Sequence, residues 1–341
     1  MFFCIVLSRT TYIQLKRKSS SVLYLLLAVF FMWLIIGCRD ITVGSDTPDY
    51  IKDFKEMTLN KALSSDSEVV FAVVTYVIRS FTDNYNIYFL LMSMLYCTGL
   101  YLLLKKYLHK SDEILIAIFV LFLFGIFYLS VSAVRQIVAI GFTILAFIYA
   151  DKGKWKSFLL YVGIAFCFHN SALIALLIYP LKKLNLKWFG ILIVFVFFVL
   201  SMVVPKDFML LLQVAMESDE MKYSQYGSSY ESDLTLSGFF LQLIPLVIVY
   251  FRQNKISLDG ETKNLFLNCA YLGAGFQAMA TVVAEFFRVS IYFSIFDIVL
   301  IPLALSSFSK PYRIIGKGLF IAGCLVYMFV LATENVMPLY K

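Results

Sequence analysis

The chain is a succession of apolar stretches, each close to the length needed to cross a lipid bilayer, with lysine-rich clusters between them. A bilayer core takes roughly 20 apolar residues per helix. Candidate spans fall near 22–38, 86–104, 113–131, 133–150, 188–204, 236–251, 264–284, 289–307 and 315–333, and a tenth apolar stretch covers 157–181. Within hydrocarbon every backbone N–H and C=O must find its partner in the chain, so only helices and closed barrels span. Runs of this length predict helices. The expected fold class is all-α: a polytopic integral membrane protein with about nine or ten transmembrane helices, a short broken helical hairpin and two long outer-face loops.

Composition supports this class. Of 341 residues, 61% are hydrophobic and 15% charged, outside the range of an ordinary soluble domain. The 34 Phe and 22 Tyr suit lipid-facing surfaces and aromatic belts. The net charge of +7 collects in short clusters between apolar runs and so reports topology, not nucleic-acid binding. The six cysteines are scattered and there are two histidines, a poor basis for a zinc site. No metal or other cofactor is expected. Met1–Leu7 is apolar but short, with Arg9 and Lys16–Arg17–Lys18 behind it, and does not read as a cleavable signal. With no repeat, low-complexity tract or soluble insert, residues 1–341 read as one integral membrane domain.

Lys and Arg in short loops mark the cytoplasmic side. Clusters at Arg9/Lys16–Lys18, Lys105/Lys106/Lys110, Lys152/Lys154/Lys156, Lys182/Lys183/Lys187, Arg252/Lys255/Lys263 and Lys310/Arg313/Lys317 hold most of the 29 cations. Both flanks of 157–181 are basic, so alternation closes only if that stretch enters and leaves on the same side. YVGIAFCFHNSALIALLIYPLKK is therefore read as two short helices broken near His169–Asn170. Such a break is tolerated only where it lines a cavity or is buried in protein. The expected outer side then carries two long loops, about 39–85 and 205–235. The first includes SSDSEVVFAVVTYVIRSF, which suits a helix at the interface.

Three arginines, Arg39, Arg135 and Arg288, sit at the edges of apolar runs, all on the expected outer side. A charge next to hydrocarbon is costly and marks a site with a partner to be named. One arginine can be explained by snorkelling into the headgroups. Three arginines and no lysine, all on one side, point instead to a guanidinium fork matched to phosphate. A lipid diphosphate headgroup is the anion that fits this depth.

Local readings stand beside functional ones. In Asp46–Thr47–Pro48–Asp49, Thr47 can cap a helix running to about Met57, with Pro48 at its first helical position, Asp49 in its first turn and Gly44 making the turn before it. Asp46, outside that helix, is free to meet an arginine or a sugar hydroxyl. His169 can be a hydrogen-bonded core histidine, or a base at the helix break. Glu68 and Glu285 are the remaining acids near the outer interface, and Glu285 stands three residues before Arg288, where a local helix pair explains it. There is no G-x-S-x-G elbow, Walker loop, dinucleotide fingerprint or H-E-x-x-H, so nucleotide handling is not expected.

The order R-x4-GSDTPDY, the acid Glu68, VRQIVAI, FHNSALI, KYSQY, and R-x3-YF followed by a proline resembles the EpsG-like branch of the Wzy-type polysaccharide polymerases. Matching positions are Arg39, Gly44, Asp46, Thr47, Tyr50, Arg135, Gln136, His169, Ser171, Tyr223, Tyr226, Arg288, Tyr292 and Phe293, within about Arg39 to Pro302. The resemblance implies a membrane glycosyltransferase of the bacterial cytoplasmic membrane. It would join repeat units carried on undecaprenyl diphosphate, as for O-antigen, capsule or exopolysaccharide, on the outer face. Catalytic roles then fall to Asp46, His169 and Arg135. Diphosphate and sugar binding fall to Arg39, Arg288, Gln136, Tyr50, Tyr223, Tyr226 and Tyr292. The lipid-linked oligosaccharide and the bilayer are its partners, with a flippase and a chain-length regulator beside it. The alternatives are a single-step lipid-linked glycan transferase or ligase, and a flippase for an anionic lipid-linked glycan. The flippase reading expects repeats and polar residues along the whole path.

Overall fold

A computed structural model of the chain describes residues 20–65, 68–203, 236–282 and 285–333. The segment 205–235, with Tyr223 and Tyr226, lies outside the described residues, as do Arg9 and the cluster Lys16–Lys18. Among the described residues there are sixteen α-helices, two 3₁₀ segments and no strand.

The apolar stretches become helices close to where their lengths place them. In chain order these are α1 (Ser20–Gly37), α2 (Thr47–Glu56), α3 (Leu59–Leu63), α4 (Val69–Phe81), α5 (Tyr85–Tyr107), α6 (Ser111–Leu123), α7 (Ile126–Ser132), α8 (Val134–Asp151) and α9 (Trp155–Phe168). There follow a 3₁₀ segment (Asn170–Leu177), α10 (Ile178–Leu181), α11 (Phe189–Val203), α12 (Ser237–Arg252), α13 (Gly260–Met279), α14 (Glu285–Ser294), α15 (Asp297–Ser306) and α16 (Lys310–Thr333).

By length and composition alone, three helices among the described residues can cross a membrane: α5, α8 and α16. The number rises to five if each of two bent pairs is one span. In place of a straight span at 113–131, α6 and α7 meet at 61°, at a left-handed Gly125 (φ 69°) that a helix cannot run through. In place of one at 289–307, α14 and α15 meet at 52°. The remaining apolar helices, including α1, α9 and α11, are shorter. The chain is an all-helical polytopic membrane protein.

Helix α8 lies at the centre, with 72% of its apolar window buried, whereas α16 lies at the edge with 11% buried. It packs mainly on α5 and α9. Its two ends differ chemically. At the C-terminal end the Asp151 carboxylate pairs with Lys106 and accepts from Tyr107 Oη (2.6 Å) and Thr262 Oγ1 (2.5 Å), while Lys182 Nζ donates to its carbonyl (2.5 Å). Four sequence-distant side chains thus hold the lysine-rich end. About 24 Å away along the helix axis, in the first turn, is Arg135.

The break expected in 157–181 is present. Helix α9 ends at Phe168, His169 is extended (φ −159°, ψ 120°), and the chain continues as the 3₁₀ segment and α10. The carbonyls freed beyond α10 do not go unsatisfied: buried Asn268 donates to Leu181 O (2.8 Å) and Leu184 O (2.7 Å).

Candidate active site

The site is built at the Arg135 end of α8 by a loop, a helix break and two helix starts. The loop from Cys38 to Asp46 is held by Thr47, a fully buried threonine at the start of α2. Its hydroxyl donates to Val43 O (2.6 Å), with Val131 O at 3.2 Å, and accepts from Arg39 Nε (3.0 Å). Gly44 makes the preceding turn at φ 89°, so close to the end of α7 that a β-carbon would stand 2.1 Å from Val131 O. Asp46, not Thr47, occupies the N-cap position of α2, without a capping side-chain bond, so Thr47 is the first helical residue and Pro48 stands one place past the position expected for it.

Arg39 is 5% exposed. Its guanidinium lies 3.6 Å over the Phe89 ring, Nη1 donates to Ile36 O (2.8 Å), and Nη2 has no partner. Burial lowers its pKa to about 10, with the nearby hydroxyls of Tyr88 and Tyr50 acting the other way, so it stays charged at neutral pH. Arg39 and Asp46 do not pair. Arg39 turns inward to Thr47, and Asp46, half-buried, receives its hydrogen bond from Ser45 Oγ (2.7 Å).

One turn further along α2, Tyr50 is buried and its hydroxyl accepts from Arg135 Nε at 3.5 Å. Burial raises the Tyr50 pKa, against the pull of the Arg135 charge. Glu68, just before α4, completes the group. Its Oε2 accepts from Arg135 Nη1 (2.8 Å), and its Oε1 lies 2.5 Å from His169 Nδ1. The Glu68 side chain is 5% exposed, that of His169 19% and that of Arg135 40%. Burial pushes the Glu68 carboxyl up, but the His169 hydrogen bond and the Arg135 charge outweigh it and leave the carboxyl below its ordinary value. Tyr50, Glu68, Arg135 and His169, from four separate stretches of sequence, therefore form one hydrogen-bonded chain.

A second group lies beside it. Gln136, adjacent to Arg135, is buried, and its Nε2 donates to Arg288 O (2.8 Å) while its Oε1 has no partner. Ser171, two residues after His169, donates through Oγ to the hydroxyl of fully buried Tyr292 (3.2 Å). The expected Glu285–Arg288 pair is absent, so among the described residues the half-buried Arg288 guanidinium has no carboxylate partner. Phe293 belongs to the core, stacked on Phe276 at 5.7 Å.

The structure brings together His169, Arg135, Tyr50, Gln136, Arg288 and Tyr292 as expected site residues, and keeps Arg39 behind them as a buried support. Glu68, to which sequence reasoning assigned no role, stands at their centre. Its only signal was an acid directly before an apolar interfacial stretch. Among the described residues no three His, Cys, Asp or Glu side chains are placed to hold a metal ion.

No curated protein and no solved structure matches the chain. A family profile does, that of the EpsG family, over residues 22–340. That match covers nearly the whole chain and all the residues of the site described above, and it agrees with the polytopic helical fold. The chain belongs to the EpsG family, membrane proteins of polysaccharide biosynthesis.

Proposed function

We propose that the protein polymerises oligosaccharide repeat units carried on undecaprenyl diphosphate, at the outer face of the bacterial cytoplasmic membrane. The observation that carries this reading is the convergence of Tyr50, Arg135 and His169 at one end of the bundle, beside an Arg288 that has no carboxylate partner among the described residues. The opposite end is bound up by lysines around Asp151. In the reaction the growing glycan leaves its lipid diphosphate and joins a hydroxyl of the terminal sugar on a new lipid-linked unit. The bond from the anomeric carbon to the diphosphate oxygen breaks, and its electron pair stays on the diphosphate. The acceptor oxygen takes its place and gives its proton to a base, Asp46 or His169.

Negative charge grows on the leaving oxygen, and a pre-placed cation is most useful there because it need not reorganise. Arg288 brings a guanidinium with no carboxylate partner among the described residues, and Arg135 one held through Nη1 by Glu68 and through Nε by Tyr50, its side chain 40% exposed. Tyr50 and Tyr292 belong to the same group but are buried, and they brace Arg135 and Ser171 through their hydroxyls. A flippase that supplies the lipid-linked unit and a chain-length regulator are the partners this activity calls for.

The test is Arg135→Lys in cells that depend on this chain for polymer. Lysine keeps the charge but cannot reach Glu68 and Tyr50 with a rigid fork. The expected result is loss of the glycan ladder to single repeat units at normal protein level. A wild-type ladder would remove Arg135 from the reaction. The single-step reading separates on the same gel, since one transfer gives one product and no ladder.

A further inference from the structure

We infer that Glu68 is the positioning residue that makes His169, not Asp46, the base of this transfer, an inference that rests on the polymerase reading. At 2.5 Å, one proton lies between Glu68 Oε1 and His169 Nδ1. With the carboxylate charged, that proton sits on the ring nitrogen, so the lone pair is at Nε2. A carboxylate in this place fixes the tautomer and the ring orientation, and balances the imidazolium formed when Nε2 takes a proton.

Three further observations support the assignment. Glu68 cannot swing away, because Oε2 is held by Arg135 Nη1 and the side chain is buried. Its backbone is left-handed (φ 57°, ψ 45°), a conformation rare for a glutamate and found where the surrounding structure over-determines it. His169 lies at the helix break, outside both flanking helices, so its ring needs an anchor other than helical packing. Asp46 has no such arrangement: its carboxylate is occupied by the neighbouring Ser45 hydroxyl.

The step balances without another reagent. The acceptor hydroxyl proton passes to Nε2, and the acceptor oxygen bonds to the anomeric carbon. The carbon–diphosphate bond breaks with its electron pair on the lipid diphosphate, and the imidazolium later returns its proton to solvent. Glu68 also holds Arg135, so one side chain ties the base to the cation that faces the leaving group.

The experiment uses purified full-length protein in lipid nanodiscs. Its probe is lipid-linked repeat units extracted from source cells lacking this polymerase, and the ladder is followed with time. Glu68→Gln should lower kcat about 100-fold or more, the scale of a general base, with KM within about twofold of wild type. In the double variant with His169→Gln, the second change should cost almost nothing, because the two residues act as a unit. Glu68→Gly, which relieves the left-handed backbone, should be as inactive as Glu68→Gln yet melt no lower than that variant. Full activity in Glu68→Gln, losses that add with those of His169→Gln, or activity regained in Glu68→Gly overturns the dyad while the polymerase reading stands. A wild-type protein that makes no ladder from this probe overturns the polymerase reading and the dyad with it.

Discussion

Gly99 and Gly141 meet backbone to backbone. A β-carbon on Gly99 would stand 2.9 Å from the carbonyl oxygen of Gly141, and one on Gly141 would stand 2.9 Å from the Cα of Tyr96. This contact sets the separation of α5 and α8, and through α8 the position of Arg135.

Neither neighbour of Gly141 is a flexible side-chain end, so an added methyl can be accommodated only by moving a helix. Gly141→Ala should cost roughly 1–3 kcal/mol, the range for overpacking a filled core. It should appear as a lower thermal midpoint in detergent. Gly163→Ala is the control, because nothing lies within 4 Å of its β-carbon. There the change should be neutral or stabilising by up to about 1 kcal/mol, from helix propensity alone.

Arg39 is expected to hold the loop and not the substrate. Arg39→Lys removes the Nε bond to Thr47 and the flat stack on Phe89. Hydrogen bonds to charged groups contribute about 1.5–3 kcal/mol each, so the thermal midpoint should fall clearly. KM for lipid-linked units should stay within about twofold. A raised KM at unchanged stability would return Arg39 to the diphosphate.

The depressed pKa of Glu68 gives a pH dependence of known sign. A carboxyl whose pKa is lower in the folded state stabilises that state above the unfolded value, about 4.3 for Glu, and loses the contribution as pH falls through the folded value. The stability gap between wild type and Glu68→Gln should therefore close as the pH falls below about 4.3. Thermal unfolding of both proteins on either side of that pH measures it. A gap that widened toward low pH would contradict the ion pair.

Much of the architecture was legible because bilayer thickness and backbone satisfaction allow so little choice. The helix ends fall near the limits of the apolar runs, and the basic flanks of 157–181 led to the break at His169. The bends at Gly125 and before Asp297 were not legible, since a bent span and a straight one have the same hydropathy. The site was partly legible: membrane-edge cost singled out Arg135 and Arg288, and the helix break singled out His169. Which acid these residues would meet was not. Glu68 and Asp46 stand on the same side with similar surroundings in sequence, and only the fold carries Glu68 across to contacts 67 and 101 residues away. Arg39 shows the opposite outcome, a cation whose partners are a threonine, a carbonyl and an aromatic ring, none of them conspicuous in sequence.

The burial of Arg39 between Thr47 and Phe89 has a consequence for biogenesis. Synthesis delivers the N-terminal end first, so the arginine and its threonine exist well before the helix that brings the aromatic face. Until α5 arrives, a guanidinium just past the end of α1 stands at the membrane edge without its cover, a costly place for a charge. That penalty falls on an assembly intermediate, not on the finished protein. It is removed only when α1, the Gly44 loop and α5 come together, which makes this N-terminal unit the stage at which insertion either commits or stalls.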